Sequence, residues 1–227
     1  MALILSIETS TTVCSVALHE DGMIKASNTF YLDKSHSTVL VPSIDTLISR
    51  SGYNKTDLSA IALSKGPGSY TGLRIGTSTA KGLCFALDIP LIAVGTLNGL
   101  ARKVAPFTTP DVKLCPMLDA RRMEVYTCLL DKNLNLLKDV HPAIIDEMSF
   151  KEELDGGKIV FFGNGAHKCR DVIRHENAIF IDDIEPSAEE IGYLAYTKFQ
   201  ETAFEDVAYF EPFYLKEFRA TIPKARI

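Results

Sequence analysis

Residues 2–30 read ALILSIETSTTVCSVALHEDGMIKASNTF, and this stretch decides the fold. Ala2 to Ile7 is an apolar run of strand length, Glu8 to Thr12 is a turn rich in hydroxyls, and Val13 to Leu18 is a second strand. Asp21-Gly22 has the chemistry of a tight hairpin turn, so Met23 to Phe30 returns as a third strand. The same order recurs at residues 114–140, LCPMLDARRMEVYTCLLDKNLNLLKDV. There Leu114 to Leu118 ends in Asp119 as the first strand ended in Glu8, Glu124 to Leu130 follows, and Lys132-Asn133 turns the chain into Leu134 to Val140. Fourteen residues separate Glu8 from Gly22, and fourteen separate Asp119 from Asn133. Matching hairpins at matching spacing predict an internal duplication, two α/β lobes of three antiparallel strands plus crossover helices in βββαβα order.

Working outward, Thr38 to Ser49 carries Leu40, Ile44, Leu47 and Ile48 on the stripe of an amphipathic helix. Ala60 to Ser64 is a short strand, the loop Gly66-Pro67-Gly68-Ser69-Tyr70-Thr71 follows, and a helix from about Gly72 to Leu87 stops before Pro90. Leu91 to Val94 is another strand, with Thr96 placed to cap the next helix. Ala105 to Asp111, with two prolines and two threonines, reads as the linker, giving an N-terminal lobe over 1–106 and a C-terminal lobe over 107–227. The second lobe continues with a helix near Phe150 to Leu154, a strand from Ile159 to Phe162, the Gly163-Asn164-Gly165 turn and a further helix. Ser187 with Glu190 three residues on has the form of a capping box for a last helix to Thr202, which has the option of packing back on the first lobe.

Composition sets the class. The 227 residues are 46 % hydrophobic and 23 % charged, the balance of a globular chain rather than a disordered one. The weakly polar stretch Gly82 to Ala101 is broken by Asp88, Pro90, Gly95 and Asn98, whereas a bilayer span needs about 20 mostly apolar residues, so no membrane segment is expected. Met1 to Ile7 lacks a basic flank and a small-residue cleavage site, so it is read as a strand and not as a signal peptide. A net charge of −5 argues against an autonomous nucleic-acid binder. The basic and aromatic C-terminus, with Lys216, Arg219, Lys224 and Arg226 near Phe213, Tyr214 and Phe218, reads as a solvated tail or as part of a shared RNA surface. Five cysteines (Cys14, Cys84, Cys115, Cys128, Cys169), none spaced as CxxC, fit buried thiols in a reducing cytoplasm.

The loop Lys65 to Gly76 lies between a strand and a helix, where backbone N–H groups can hold an anion. It is neither a Rossmann fingerprint nor a Walker A loop, because the glycines and the lysine fall at the wrong spacing. Beyond it Gly72, Gly76 and Ala80 share one helix face, and glycine inside a helix costs about 1 kcal/mol against alanine. That stripe fits close packing inside the lobe or a helix–helix interface with another chain. The interface is the expectation, with Leu83 and the Leu40, Ile44, Leu47, Ile48 stripe forming the rest of the surface.

Four segments together resemble the TsaB (YeaZ) family over the length of the chain: Ile7-Glu8-Thr9-Ser10, GPGSYTGLRIG at 66–76, DARRMEVY at 119–126 and EPFYL at 211–215. The resemblance implies a two-lobed actin-like or sugar-kinase-like (ASKHA) ATPase fold, in which an acid at each first hairpin faces nucleotide phosphate and metal. It implies a non-catalytic subunit of the complex that makes threonylcarbamoyladenosine in tRNA. There it would pair with the catalytic paralogue TsaD, work with the ATPase TsaE and meet tRNA through the complex, with a homodimer as the open alternative when it is alone. ATP or ADP and a metal ion would belong to that complex and not to this chain. Glu8, Thr9, Ser10, Asp119, Arg121, Gly163 and Gly165 would remain as vestigial nucleotide or anion contacts. Arg121 and Arg122, standing where an ATPase of this fold wants glycine, are placed to hold an anion or to pair with Asp119 or Glu124.

Two other classes compete. A self-contained ATPase or small-molecule kinase of the same fold is favoured by Glu8, Asp119 and the glycine loops. A metalloprotease has no support, since His19, His36, His141, His167 and His175 form neither HExxH nor a pair four apart. The expected location is the cytoplasm.

Overall fold

The computed structural model describes residues 1–32 and 36–216. The first hairpin forms as β1 (Leu3–Glu8) and β2 (Cys14–Glu20), antiparallel with Glu8 opposite Ser15. Asp21 (φ 48°) and Gly22 (φ 79°) both take positive φ, the primed turn whose twist suits a hairpin, and lead into β3 (Met23–Phe30). Then come α1 (His36–Arg50), β4 (Ala60–Ser64), α2 (Tyr70–Leu87), β5 (Leu91–Val94) and α3 (Thr96–Val104). The sheet order is β3-β2-β1-β4-β5, with β4 and β5 parallel to β1.

The second half repeats this plan. Strands β6 (Lys113–Asp119), β7 (Glu124–Leu130) and β8 (Leu136–Ile144) are followed by α4 (Lys151–Asp155), β9 (Ile159–Phe162), β10 (Ala178–Ile181) and α5 (Ala188–Gln200). The order β10-β9-β6-β7-β8 is the first sheet's order transposed, so the duplication is complete to the fifth strand. Strand β10 has no counterpart in the sequence reading. The helix expected after Gly163-Asn164-Gly165 is a single 3-10 turn at His167–Cys169. Ala166, Cys169 and Ile173 are buried at helical spacing, yet i to i+3 bonds such as Val172 N–H to Cys169 O meet that pattern without a helix.

Alternation along β1 sends its side chains into two cores. Leu3, Leu5 and Ile7 join Leu40, Ile44, Leu47, Ile48, Ala80 and Cys84 beneath α1 and α2. Ile4 faces the other way and meets Ile191 and Ala195 of α5. Fully burying an isoleucine or leucine stabilises by roughly 1.5–3 kcal/mol, so these two layers carry the first lobe. Two helices cross the linker: α3 sends Leu97, Leu100 and Val104 into the core of the second sheet, and α5 lies on the first. The approach of α5 is close, since a Cβ at Gly192 would sit 2.1 Å from the His19 ring. The Ser187 capping box is not made, because the Ser187 side chain forms no cap bond. Instead the Ala188 N–H donates to Ser15 Oγ at 3.2 Å, fixing the start of α5 to β2.

Candidate functional site: the cleft between the lobes

At the end of β1 the acid turns inward. Glu8 is fully buried, its Oε1 accepting the Ser10 N–H at 2.6 Å and the Ser64 hydroxyl at 2.9 Å, while Oε2 has no partner among the described residues. Burial pushes its pKa up against the lowering effect of those hydrogen bonds. Beyond it the glycine loop and α2 press onto Thr9 and Ser10. A Cβ at Gly68 would lie 2.4 Å from Ser10 O, at Gly72 2.0 Å from Thr9 O, and at Gly76 2.3 Å from Thr9 Oγ1. Ser69 caps α2, accepting the Gly72 N–H at 3.3 Å.

This overturns the interface expected at the stripe. Gly72, Gly76 and Ala80 are buried against their own lobe, with the glycines on Thr9 and Ala80 in the core. Leu40, Ile44, Leu47 and Ile48 are buried in that core too, and Leu83 packs on it. Their periodicity marks the inward faces of α1 and α2. The outward faces carry what the sequence reading missed, Val41 at 58 % and Phe85 at 87 % exposure. The available signal was an apolar residue off the helix's own apolar stripe.

At the end of β6 the acid stays at the surface but is engaged. Asp119 is half-exposed and forms an ion pair with Lys168, whose Nζ also donates to Glu124 O at 2.7 Å. The Arg121 N–H donates to Asp119 Oδ1 at 3.1 Å, and the Asp119 N–H donates to Asn164 Oδ1 at 2.9 Å. Arg121 and Arg122 hold the turn at φ 72° and 49°, uncommon for residues with a side chain. The cations on Asp119 and Glu124 are thus Lys168 and Lys216 and not the two arginines. Gly163 and Gly165 are contacts of β6, since Cβ atoms there would lie 2.4 Å from Met117 O and 2.8 Å from Leu118 C.

Between the two ends lies a cavity of about 1080 Å³. Of the residues expected there, Ser10, Asp119 and Arg121 line it; Glu8, Thr9, Gly163 and Gly165 do not. The glycine loop from Pro67 to Gly72, His36, Tyr126, Asn164 and the segment Phe213–Lys216 also line it. No group of three or more His, Cys, Asp or Glu among the described residues is arranged to hold a metal ion. With Glu8 turned away and Asp119 paired to an ammonium, the cleft's own acids do not fit the metal–nucleotide site of this fold. The five cysteines are buried free thiols, and burial pushes Cys84 up to about 12. Arg219, Lys224 and Arg226 of the basic tail lie outside the described residues.

Residues 31–224 match the family model described as TsaD, tRNA N6-adenosine threonylcarbamoyltransferase. The chain is 31 % identical over 220 residues to the tRNA threonylcarbamoyladenosine biosynthesis protein TsaB of Escherichia coli (strain K12), covering 94 % of each. It is 38 % identical over 165 residues to the protein of the same name from Bacillus subtilis (strain 168), covering 71 % of this chain and 70 % of that one. The structure of YeaZ from Pseudomonas aeruginosa superposes with a TM-score of 0.82 at 26 % identity, covering 95 % of this chain and all of the other. The activator of the 2-hydroxyisocaproyl-CoA dehydratase from Clostridium difficile, solved with bound ADPNP, shares the two-lobed actin-like fold alone, with a TM-score of 0.52 at 13 % identity. Spanned for most of its length by the TsaD model and matched over 94 % of both sequences by the Escherichia coli protein, the chain belongs to the TsaB (YeaZ) family.

Proposed function

We propose that this chain acts in the synthesis of threonylcarbamoyladenosine in tRNA as a non-catalytic subunit that scaffolds and activates a TsaD-type transferase. In this reading the complex transfers threonylcarbamoyl to the adenosine 3′ of the anticodon in tRNAs reading ANN codons, in the cytoplasm. The observation that carries it is the state of the two hairpin acids: Glu8 is fully buried and bonded to Ser10 and Ser64, and Asp119 is paired with Lys168. Neither stands ready for a metal or a phosphate, so the chemistry belongs to the partner. Nucleotide and metal then reside with TsaD and the ATPase TsaE, and tRNA meets this chain through the complex. The partner face is the outer surface of α1 and α2, where Val41 and Phe85 stand clear of the lobe's core. A TsaD-like paralogue presents an equivalent helix pair, which gives a pseudo-symmetric contact; a second copy would use the same face as a homodimer.

The test is reconstitution with TsaD, TsaE and tRNA, omitting each in turn and scoring modified nucleoside by mass spectrometry. This chain alone, supplied with threonylcarbamoyl-adenylate, is expected to modify no tRNA. Phe85→Asp should remove co-elution with TsaD at low micromolar concentration while leaving the thermal transition of the isolated chain in place. Modified tRNA from the chain alone, or ATP turnover without TsaD, would instead support the self-contained ATPase or kinase.

A further inference from the structure

The C-terminal segment after α5 takes an unusual course. The Glu205 N–H donates to Leu91 O at 2.9 Å, extending the edge of the first sheet, and Val207 and Phe210 pack on the core beneath α1 and α2. Lys81 Nζ reaches across to donate to Ala208 O at 3.0 Å and Phe210 O at 3.2 Å. The Phe213 N–H donates to Lys65 O at 2.7 Å. The segment presses so closely on the glycine loop that a Cβ at Gly66, already at φ +113°, would lie 2.5 Å from Phe213 O. The Tyr214 ring then meets Tyr70, at 4.9 Å between centroids, with the Arg74 guanidinium 4.6 Å from the Tyr70 centroid. Two residues on, Lys216 crosses to the second lobe and pairs with Glu124 of β7.

We propose that residues 205–216 form a latch over the cleft, hinged on lobe one and fastened to lobe two by the Lys216–Glu124 pair. The asymmetry of its attachments supports this. On lobe one the segment is held by backbone hydrogen bonds, buried apolar side chains and an aromatic contact. On lobe two its ion pair is partly exposed, 42 % for Lys216 and 21 % for Glu124, and such pairs are weak and screened by salt. The fastening is therefore the point of release, and the hinge stays put. Phe213, Tyr214, Leu215 and Lys216 all line the cavity, so release of Lys216 removes one wall of the cleft while leaving the Gly66–Gly76 loop seated on Thr9 and Ser10. An anionic group entering the cleft competes with the Glu124 carboxylate for Lys216, which makes the latch responsive to what occupies the cavity.

Amide hydrogen exchange tests the latch on the full chain. The reporters are Phe213 in the latch and Ala120 and Glu124 in the lobe-two turn, whose N–H groups bond to Glu124 O and Arg121 O. Lys216→Glu and Glu124→Lys should each speed exchange at all three about threefold to fivefold, equivalent to roughly 0.7–1 kcal/mol at 1.4 kcal/mol per tenfold. The double exchange, Lys216→Glu with Glu124→Lys, should restore the wild-type rates. Tyr214→Ala, which removes the ring contact with Tyr70 on lobe one, should also speed exchange at Ala120 and Glu124 across the cleft. The thermal transition of each variant, expected within a few degrees of wild type, shows that folding is intact. Unchanged rates in the single variants, no rescue by the charge swap, or an effect of Tyr214→Ala confined to lobe one would each overturn the latch.

Discussion

The ends of β1 and β6 are the same place in a duplicated scaffold, yet they have met opposite fates. Glu8 is sealed inside the lobe, next to the Thr9–Ser10 turn on which the glycine loop and α2 rest, and its carboxyl serves Ser10 and Ser64. Asp119 remains at the surface, where an ammonium from the 3-10 turn beyond β9 occupies it. One acid has become part of a core and the other part of a surface ion pair. The comparison teaches that two equivalent acids of a duplicated fold can be held by different local structure, one by buried hydroxyl and amide groups and one by an ammonium. Burial makes the first lobe's version costly to disturb, and exposure makes the second lobe's version cheap.

The difference can be broken most forcefully at Gly76. A leucine there has to displace Thr9, whose Oγ1 would be 2.3 Å from the new Cβ, and overpacking costs typically 1–3 kcal/mol. Gly76→Leu should lower stability by about 3 kcal/mol, read as a fall in the urea midpoint of the isolated chain. A midpoint within error of wild type would return the stripe to the protein's surface and revive it as a partner contact.

Acid sharpens the same contrast. His19 is fully buried beneath α5, and desolvation lowers its pKa to about 4 against the attraction of Glu189. Between 4 and the ordinary imidazole value of 6.5, the unfolded chain holds a proton that the folded chain does not. Stability due to this group is thus intact above pH 6.5, falls as pH drops, and stops falling below about 4, a loss of roughly 3 kcal/mol in all. Urea unfolding of wild type and His19→Leu over that range isolates the contribution, because the carboxylates are common to both. Parallel curves would mean that the imidazole is charged in the folded state.

The smallest effect belongs to the second lobe. Lys168→Met breaks a partly exposed pair, so it should cost no more than about 1 kcal/mol of stability. Asp119→Ala should reduce the reconstituted complex's activity by less than about tenfold, the equivalent of 1.4 kcal/mol. A loss of several hundredfold with partner binding intact would place working chemistry at Asp119.

The hairpins were legible because their information is local: alternation, turn residues and the Glu8 and Asp119 positions all fall within a few residues of one another. The glycine stripe was legible as a close approach, but the identity of what approaches was not, since the same period serves a neighbour in the lobe or another chain. Lys168 stands 49 residues from Asp119, and nothing in its own neighbourhood points there. His19 looks like the polar tail of an edge strand until α5 is laid over it from the far end of the chain. The final helix was foreseen as a helix, but its cap was not, because the donor's partner is Ser15 on another element.

That last helix also orders events in time. Lobe one has all its strands once residue 94 is made, yet the layer containing Ile4, Ala60, Ala62 and Ile92 is closed only by Ile191 and Ala195. At about 5–20 residues per second, synthesis leaves that face uncovered for roughly 5–20 s, far longer than collapse takes. The first lobe therefore cannot finish folding before α5 has been made. It must wait, with an apolar sheet face open to water, chaperones or a neighbouring chain, until α5 arrives.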